Sequence, residues 1–151
     1  MKPKSRTEKI PTATLKVTID QFRPIGGVFP TSATIKLASP VPGISVVNGD
    51  IICKTCKPIN LLYEIDSADY IFIGAAFDAN TLDIDVGTDA FPLVTINRDA
   101  GSKTPANTLC VLNANLLEDR NKNYSYVLMV QATTTGEIGI IDPIIRNDVE
   151  P

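Results

Sequence analysis

Ile44 to Ile52 reads "ISVVNGDII". Asn48-Gly49 stands between two apolar runs, and both residues tolerate a positive φ. That combination is the signature of a two-residue type I′ turn, so the stretch predicts a tight β-hairpin. Toward the N-terminus, "ATIKLASPVPG" gives a short strand with Ile35 and Leu37 on one face, closed by Pro40 and Pro42. Before it, the two prolines and two glycines of "RPIGGVFP" (Arg23–Pro30) break regular structure. Thr14–Phe22, "TLKVTIDQF", alternates cleanly: Leu15, Val17 and Ile19 against Lys16, Thr18 and Asp20. Period two means a half-buried strand.

The pattern continues toward the C-terminus. "INLLYEI" and "YIFIGAAF" (Tyr70–Phe77) are joined by "DSAD", and the second is apolar on both faces, so it is expected to be central and covered. "TLDIDV", "PLVTINRD" and "TLCVLNANLL" follow, with a polar loop over Asp99–Asn107. After the turn "EDRNKN", "YSYVLMVQA" sets Tyr124, Tyr126, Leu128 and Val130 against Ser125, Val127 and Met129. "TTTGE" then turns the chain into its last segment. Apolar residues nowhere keep a 3.6-residue spacing over three turns, which argues against helices. The expected fold is all-β: an antiparallel immunoglobulin-like β-sandwich, with a jelly roll as the alternative. Tyr124 after a polar turn, with Tyr126 inward two places on, resembles the tyrosine corner of such sandwiches.

At 151 residues the chain has the length of one domain, large enough to bury roughly 70% of its unfolded surface without disulfides or metals. Residues 10–151 read as one β-sandwich domain and residues 1–9 as a basic flexible tail. Lys2, Lys4, Arg6 and Lys9 stand there against Glu8; with the tail set aside, ten basic and sixteen acidic residues remain, a net charge of −6. So acidic a body speaks against binding a nucleic-acid backbone. No apolar run suits a secretory leader or the ~20 residues of a membrane span. The expected location is the cytoplasm, which an odd cysteine count suits.

The returning arm of the hairpin leads into "ICKTCK", which carries Cys53 and Cys56; Cys110 is the third cysteine, and histidine is absent. A structural zinc site needs four ligands, usually Cys and His, so one within this chain would need Cys110 and a carboxylate besides the pair, and a cubane cluster needs four thiolates. A thioredoxin-type pair needs its first cysteine at a helix N-terminus, not on a hairpin arm. The three cysteines therefore read as inert filler, although Lys54 and Lys57 would favour thiolate. Seven acids (Glu64, Asp66, Asp69, Asp78, Asp83, Asp85 and Asp89) occupy a stretch free of Lys and Arg. Ca²⁺ takes six to eight oxygens, but the ordered loop of an EF-hand is missing, and a strand's wet face looks the same.

Without histidine there is no Ser-His-Asp arrangement and no His general base. A carboxylate pair could hydrolyse glycosides, yet Trp platforms for sugar rings are absent, and "IGG" at Ile25–Gly27 lacks the rest of a phosphate loop. No catalytic, cofactor-binding or metal-ligating residue is assigned, and no cofactor is expected.

The chain ends in "IIDPIIRNDVEP", where Pro143 cannot donate to a sheet ladder and pushes Asp142 toward an extended conformation. A proline there fits an edge strand or a bulge. This ending resembles that of a small bacterial family named DP-EP after the two dipeptides. It also resembles the "DP-x-I-x-N" ending of bacterial inclusion-body proteins, matched by Asp142, Pro143, Ile145 and Asn147. The latter resemblance implies a small self-associating β-sandwich; neither supplies catalytic residues. The leading expectation is a non-catalytic bacterial protein acting by self-association or partner binding, a homo-oligomer with no nucleic-acid or membrane partner. A small-ligand or Ca²⁺ binder using the Asp-rich loops is the second expectation, and a carboxylate-dependent hydrolase the third.

Overall fold

A computed structural model describes residues 9–54, 57–65, 67–77, 93–97, 107–114, 122–142 and 144–147. Eleven strands lie among them: β1 (Thr12–Gln21), β2 (Ser32–Leu37), β3 (Ile44–Val47), β4 (Asp50–Cys53), β5 (Ile59–Ile65), β6 (Tyr70–Phe77), β7 (Leu93–Asn97), β8 (Thr108–Asn113), β9 (Lys122–Ala132), β10 (Ile138–Ile141) and β11 (Ile144–Asn147). No helix occurs among the described residues, so none there is long and apolar enough to cross a membrane. The chain is all-β, as the period-two alternation requires.

The β3–β4 hairpin closes on the expected turn. Asn48 has φ 52° and Gly49 φ 85°, and Val47 pairs with Asp50 across them. In β1, Ala13, Leu15 and Val17 are buried while Lys16, Thr18 and Asp20 are exposed. In β9 the buried residues are Tyr126, Leu128, Val130 and Ala132. That places Tyr126 inward as expected; the Tyr124 side chain lies outside the described residues.

One sheet has the order β2-β1-β5-β8-β7. In the other, six-stranded sheet, β9 is flanked by β6 on one edge and by β10 and β11 on the opposite edge, and β11 leads on to β4 and β3. Buried residues of both sheets form one cluster. Tyr63 of β5 meets Tyr126 of β9 across the gap, with ring centroids 6.2 Å apart and planes at 62°.

One expectation needs correction. The pairing is not wholly antiparallel: β1–β5 and β4–β11 are parallel. The cause is the route of the chain, which leaves the first sheet after β2, makes the β3–β4 hairpin in the second, and returns to lie beside β1. Among the described residues β6 pairs with β9 alone, with a register irregularity between Phe72 and Gly74. Phe72 is fully buried, but Ile71 and Ile73 are only half-buried.

The two final strands behave as one. Ile138 to Ile141 pair with Gln131 to Leu128, and Ile144 to Asn147 pair with Ser125 to Lys122 in the same continuous register. The sequence between them is Asp142-Pro143, and proline has no N–H to give to a ladder.

Candidate functional site

Three surface features converge around β10. The first is the outward face of β6, β9 and β10. Side chains alternate across a strand, so with Phe72, Leu128, Val130 and Ile141 turned to the core, Ile71, Val127, Met129, Ile138 and Ile140 turn away from it. Register puts Ile140 opposite Met129, Ile138 opposite Gln131, and Ala76 opposite Val127. Among the described residues no charged side chain occupies an outward position on β6, β9 or β10. The apolar Val127 and Met129 were the available signal in the sequence, because they stand where a solvated strand face would carry polar groups.

The second feature is the segment Phe22–Thr31, which docks on the other edge of β10. Pro24 bridges to Gly139, the Ile25 N–H donates to the Ile138 carbonyl (2.8 Å), and the Thr31 N–H donates to the Ile140 carbonyl (2.9 Å). The ends of the loop are tied to each other: the Arg23 N–H donates to Thr31 Oγ1 (2.9 Å), and the Thr31 hydroxyl donates to the Arg23 carbonyl (3.0 Å). Phe22 stacks on Tyr70 of β6 at 5.5 Å. A compact loop with joined ends holds its tip in place, and the tip here is apolar: Ile25 is 59% exposed, Val28 90% and Phe29 67%. The Arg23 guanidinium stands 5.8 Å from the Phe29 ring centroid and donates to the Pro30 carbonyl and Gln21 Oε1.

The third is a notch of about 220 Å³ where this loop, the β3–β4 turn and the end of β10 meet. Ala33, Ile35 and Ile141 are among its apolar lining, and Asn48, Asp50 and Asp142 line it with polar groups. The "NGD" turn and Asp142, far apart in sequence, therefore share one site. A larger depression of about 390 Å³ lies beside Lys9, Ile10, Pro11, Lys57 and Pro58, ahead of β1 and β5.

Among the described residues, those that chemistry would have needed are not gathered. Cys53 is a buried thiol on β4 and Cys110 a half-buried one on β8, where burial raises the Cys110 pKa; Cys56 lies outside the described residues. Of the acidic run, Glu64 is 3.5 Å from Lys16 Nζ in an ion pair across β5 and β1, and Asp69 is exposed at a turn. Asp66, Asp78, Asp83, Asp85 and Asp89 lie outside the described residues, and with them "TLDIDV". Among the described residues no three His, Cys, Asp or Glu side chains gather as metal ligands would.

Compared with known proteins, the chain matches no family model, no curated protein and no solved structure. The site's meaning therefore rests on its own surface chemistry.

Proposed function

We propose that this is a non-catalytic bacterial protein of the cytoplasm, folded as an immunoglobulin-like β-sandwich, that works by self-association. The observation that carries this reading is the apolar surface running from the outward face of β6, β9 and β10 onto the clamped loop. Strands apolar on both faces belong to sheets covered on both faces. β6 and β10 have that pattern here, β9 places Val127 and Met129 between them, and the loop beside them presents Ile25, Val28 and Phe29 to solvent.

A second copy is the cover that fits best. The described outward positions carry no charge, so two such faces meet without like-charge repulsion between acidic bodies. Burial of apolar area at about 25 cal/mol per Å² supplies the driving force. An aromatic residue beside an arginine, as in Phe29 and Arg23, is the composition that dominates interface energetics. The resemblance of "DP-x-I-x-N" to the ending of self-associating inclusion-body proteins points the same way.

Size-exclusion chromatography of the wild-type chain and a V28S/F29S variant tests the reading. Both side chains are exposed, so the variant keeps its fold. The wild-type chain is expected to elute as an assembly that dissociates on dilution, and the variant to dissociate at a concentration at least about tenfold higher, a difference of roughly 1.4 kcal/mol. Identical elution of the two, or a wild-type monomer, would count against it.

A further inference from the structure

The two-residue turn fixes which backbone groups of the β3–β4 hairpin face each other. Val47 and Asp50 flank the turn as a hydrogen-bonded pair, and such pairs alternate with pairs whose groups point away from each other. The alternation gives the backbone groups of Val47 and Ser45 to β4. It turns the N–H and C=O of Val46 to the opposite side. Gly43, two residues before Ser45, keeps the phase, since its carbonyl accepts from the Lys54 N–H at 2.8 Å. The Ile44 N–H is used by the Val41 carbonyl at 3.1 Å. Among the described residues β3 pairs with β4 alone, and nothing bonds to the Val46 backbone.

Strand edges are ordinarily guarded by charge, proline, a bulge or a covering segment. Two other edges here are guarded in that way. The Phe22–Thr31 loop bonds to the edge of β10, and β2 carries exposed Lys36. β3 reads Ile-Ser-Val-Val, with no charge, no proline and an unbroken register with β4. Ser45 and Val47 share its outward face, and both are exposed, Val47 by 50%.

A second copy matches this edge by symmetry. When two such strands run antiparallel about a two-fold axis at Val46, each Val46 N–H donates to the Val46 carbonyl of the other copy. Ser45 of each copy then stands opposite Val47 of the other. β3 carries no charge, so no like charges meet across the axis.

We propose that β3 is a second self-association contact, in which the β3 strands of two copies pair antiparallel, Val46 opposite Val46, and join their six-stranded sheets into one. The inference extends the self-association reading without using the apolar face, since β11 and β4 stand between β3 and β9. With two separate contacts, association continues beyond a pair.

Cysteine cross-linking reads the register directly. Ser45 and Val47 are exposed, so S45C and V47C keep the fold. In the paired arrangement positions 45 and 47 of the two copies are directly opposite, with Cα atoms about 4.5 Å apart and within reach of a disulfide. Like positions lie on diagonals of about 7–8 Å, beyond that reach. On mild oxidation an equimolar mixture of S45C and V47C is expected to give about tenfold more cross-linked dimer than either variant alone. The wild-type chain reports the background from the native cysteines. Adding Val46→Pro to both variants removes an N–H that the contact uses and β4 does not, and is expected to abolish the excess. A mixture that cross-links no more than its components, or an excess that survives Val46→Pro, would overturn the proposal. The mixture alone decides if the proline variant does not fold. A chain that associates while the mixture gives no excess loses the edge contact and keeps the apolar face. An excess that appears while V28S/F29S elutes as the wild type does keeps the edge contact and loses the face.

Discussion

Tyr63 sits at the centre of the core, fully buried, with a hydroxyl that has no hydrogen-bond partner among the described residues. A buried hydroxyl stripped of water and given nothing in return costs roughly 1–3 kcal/mol. Its ring still contributes through burial and through the edge contact with Tyr126, so the atom that destabilises is the oxygen alone. Tyr63→Phe is therefore expected to raise the unfolding free energy by about 1 kcal/mol in denaturant titration at neutral pH. Burial pushes the Tyr63 phenol well above its ordinary value, and ionised Cys53 nearby adds to the push. The sign follows: stability from this group is fully present below a pH of about 10, the unfolded phenol's value, and is lost as pH rises toward the folded one. The Phe variant should accordingly lose less stability than the wild type above pH about 10. No gain at neutral pH together with an unchanged alkaline slope would mean that the hydroxyl is satisfied.

At the scale of elements, the join between the Phe22–Thr31 loop and β10 is the tightest test. Gly139 lies where the two pass. An added Cβ would stand 2.5 Å from Thr31 Oγ1, 2.8 Å from Phe22 Cε1 and 3.1 Å from the Arg23 carbonyl oxygen. None of these yields easily, because Thr31 holds both ends of the loop and Phe22 is stacked on Tyr70. Gly139→Ala is expected to unseat the loop at a cost of about 1–3 kcal/mol. In amide hydrogen exchange, protection should fall at Ile25 and Thr31, whose N–H groups bond to β10, and persist in β1 and β5. Unchanged protection at Ile25 and Thr31 would contradict a clamped loop.

Elements were legible in the sequence wherever one face is wet. β1 announced itself through Lys16, Thr18 and Asp20, and the hairpin through Asn48-Gly49, because both signals are local and act through the backbone. β6 was harder: two apolar faces indicate that something covers each side, without saying whether it is a neighbouring strand, a second sheet or another molecule. Partnership was harder still. The parallel pairing of β1 with β5 depends on a chain path through the other sheet. The continuous register of β10 and β11 along β9 appears only once all three are placed. The "DP" dipeptide carries a proline that cannot donate to a ladder, but nothing in it says that Asp142 borders the hairpin turn. The notch was invisible for that reason, since Asp50 and Asp142 are separated by most of the chain.

At the scale of the whole molecule, the chain divides its polarity unevenly. One core serves both sheets, a second apolar surface remains on the outward side of β6, β9 and β10, and an acidic body carries a basic segment at one end. Protein surfaces tolerate scattered apolar side chains; a contiguous patch rimmed by an anchored apolar loop marks an interaction site. Self-association requires that this surface be covered in solution. Multi-angle light scattering of the untagged wild-type chain over a wide range of concentrations measures this directly. The expected result is a mass that rises with concentration to a multiple of one chain, and a constant mass of one chain up to the highest concentration would contradict it.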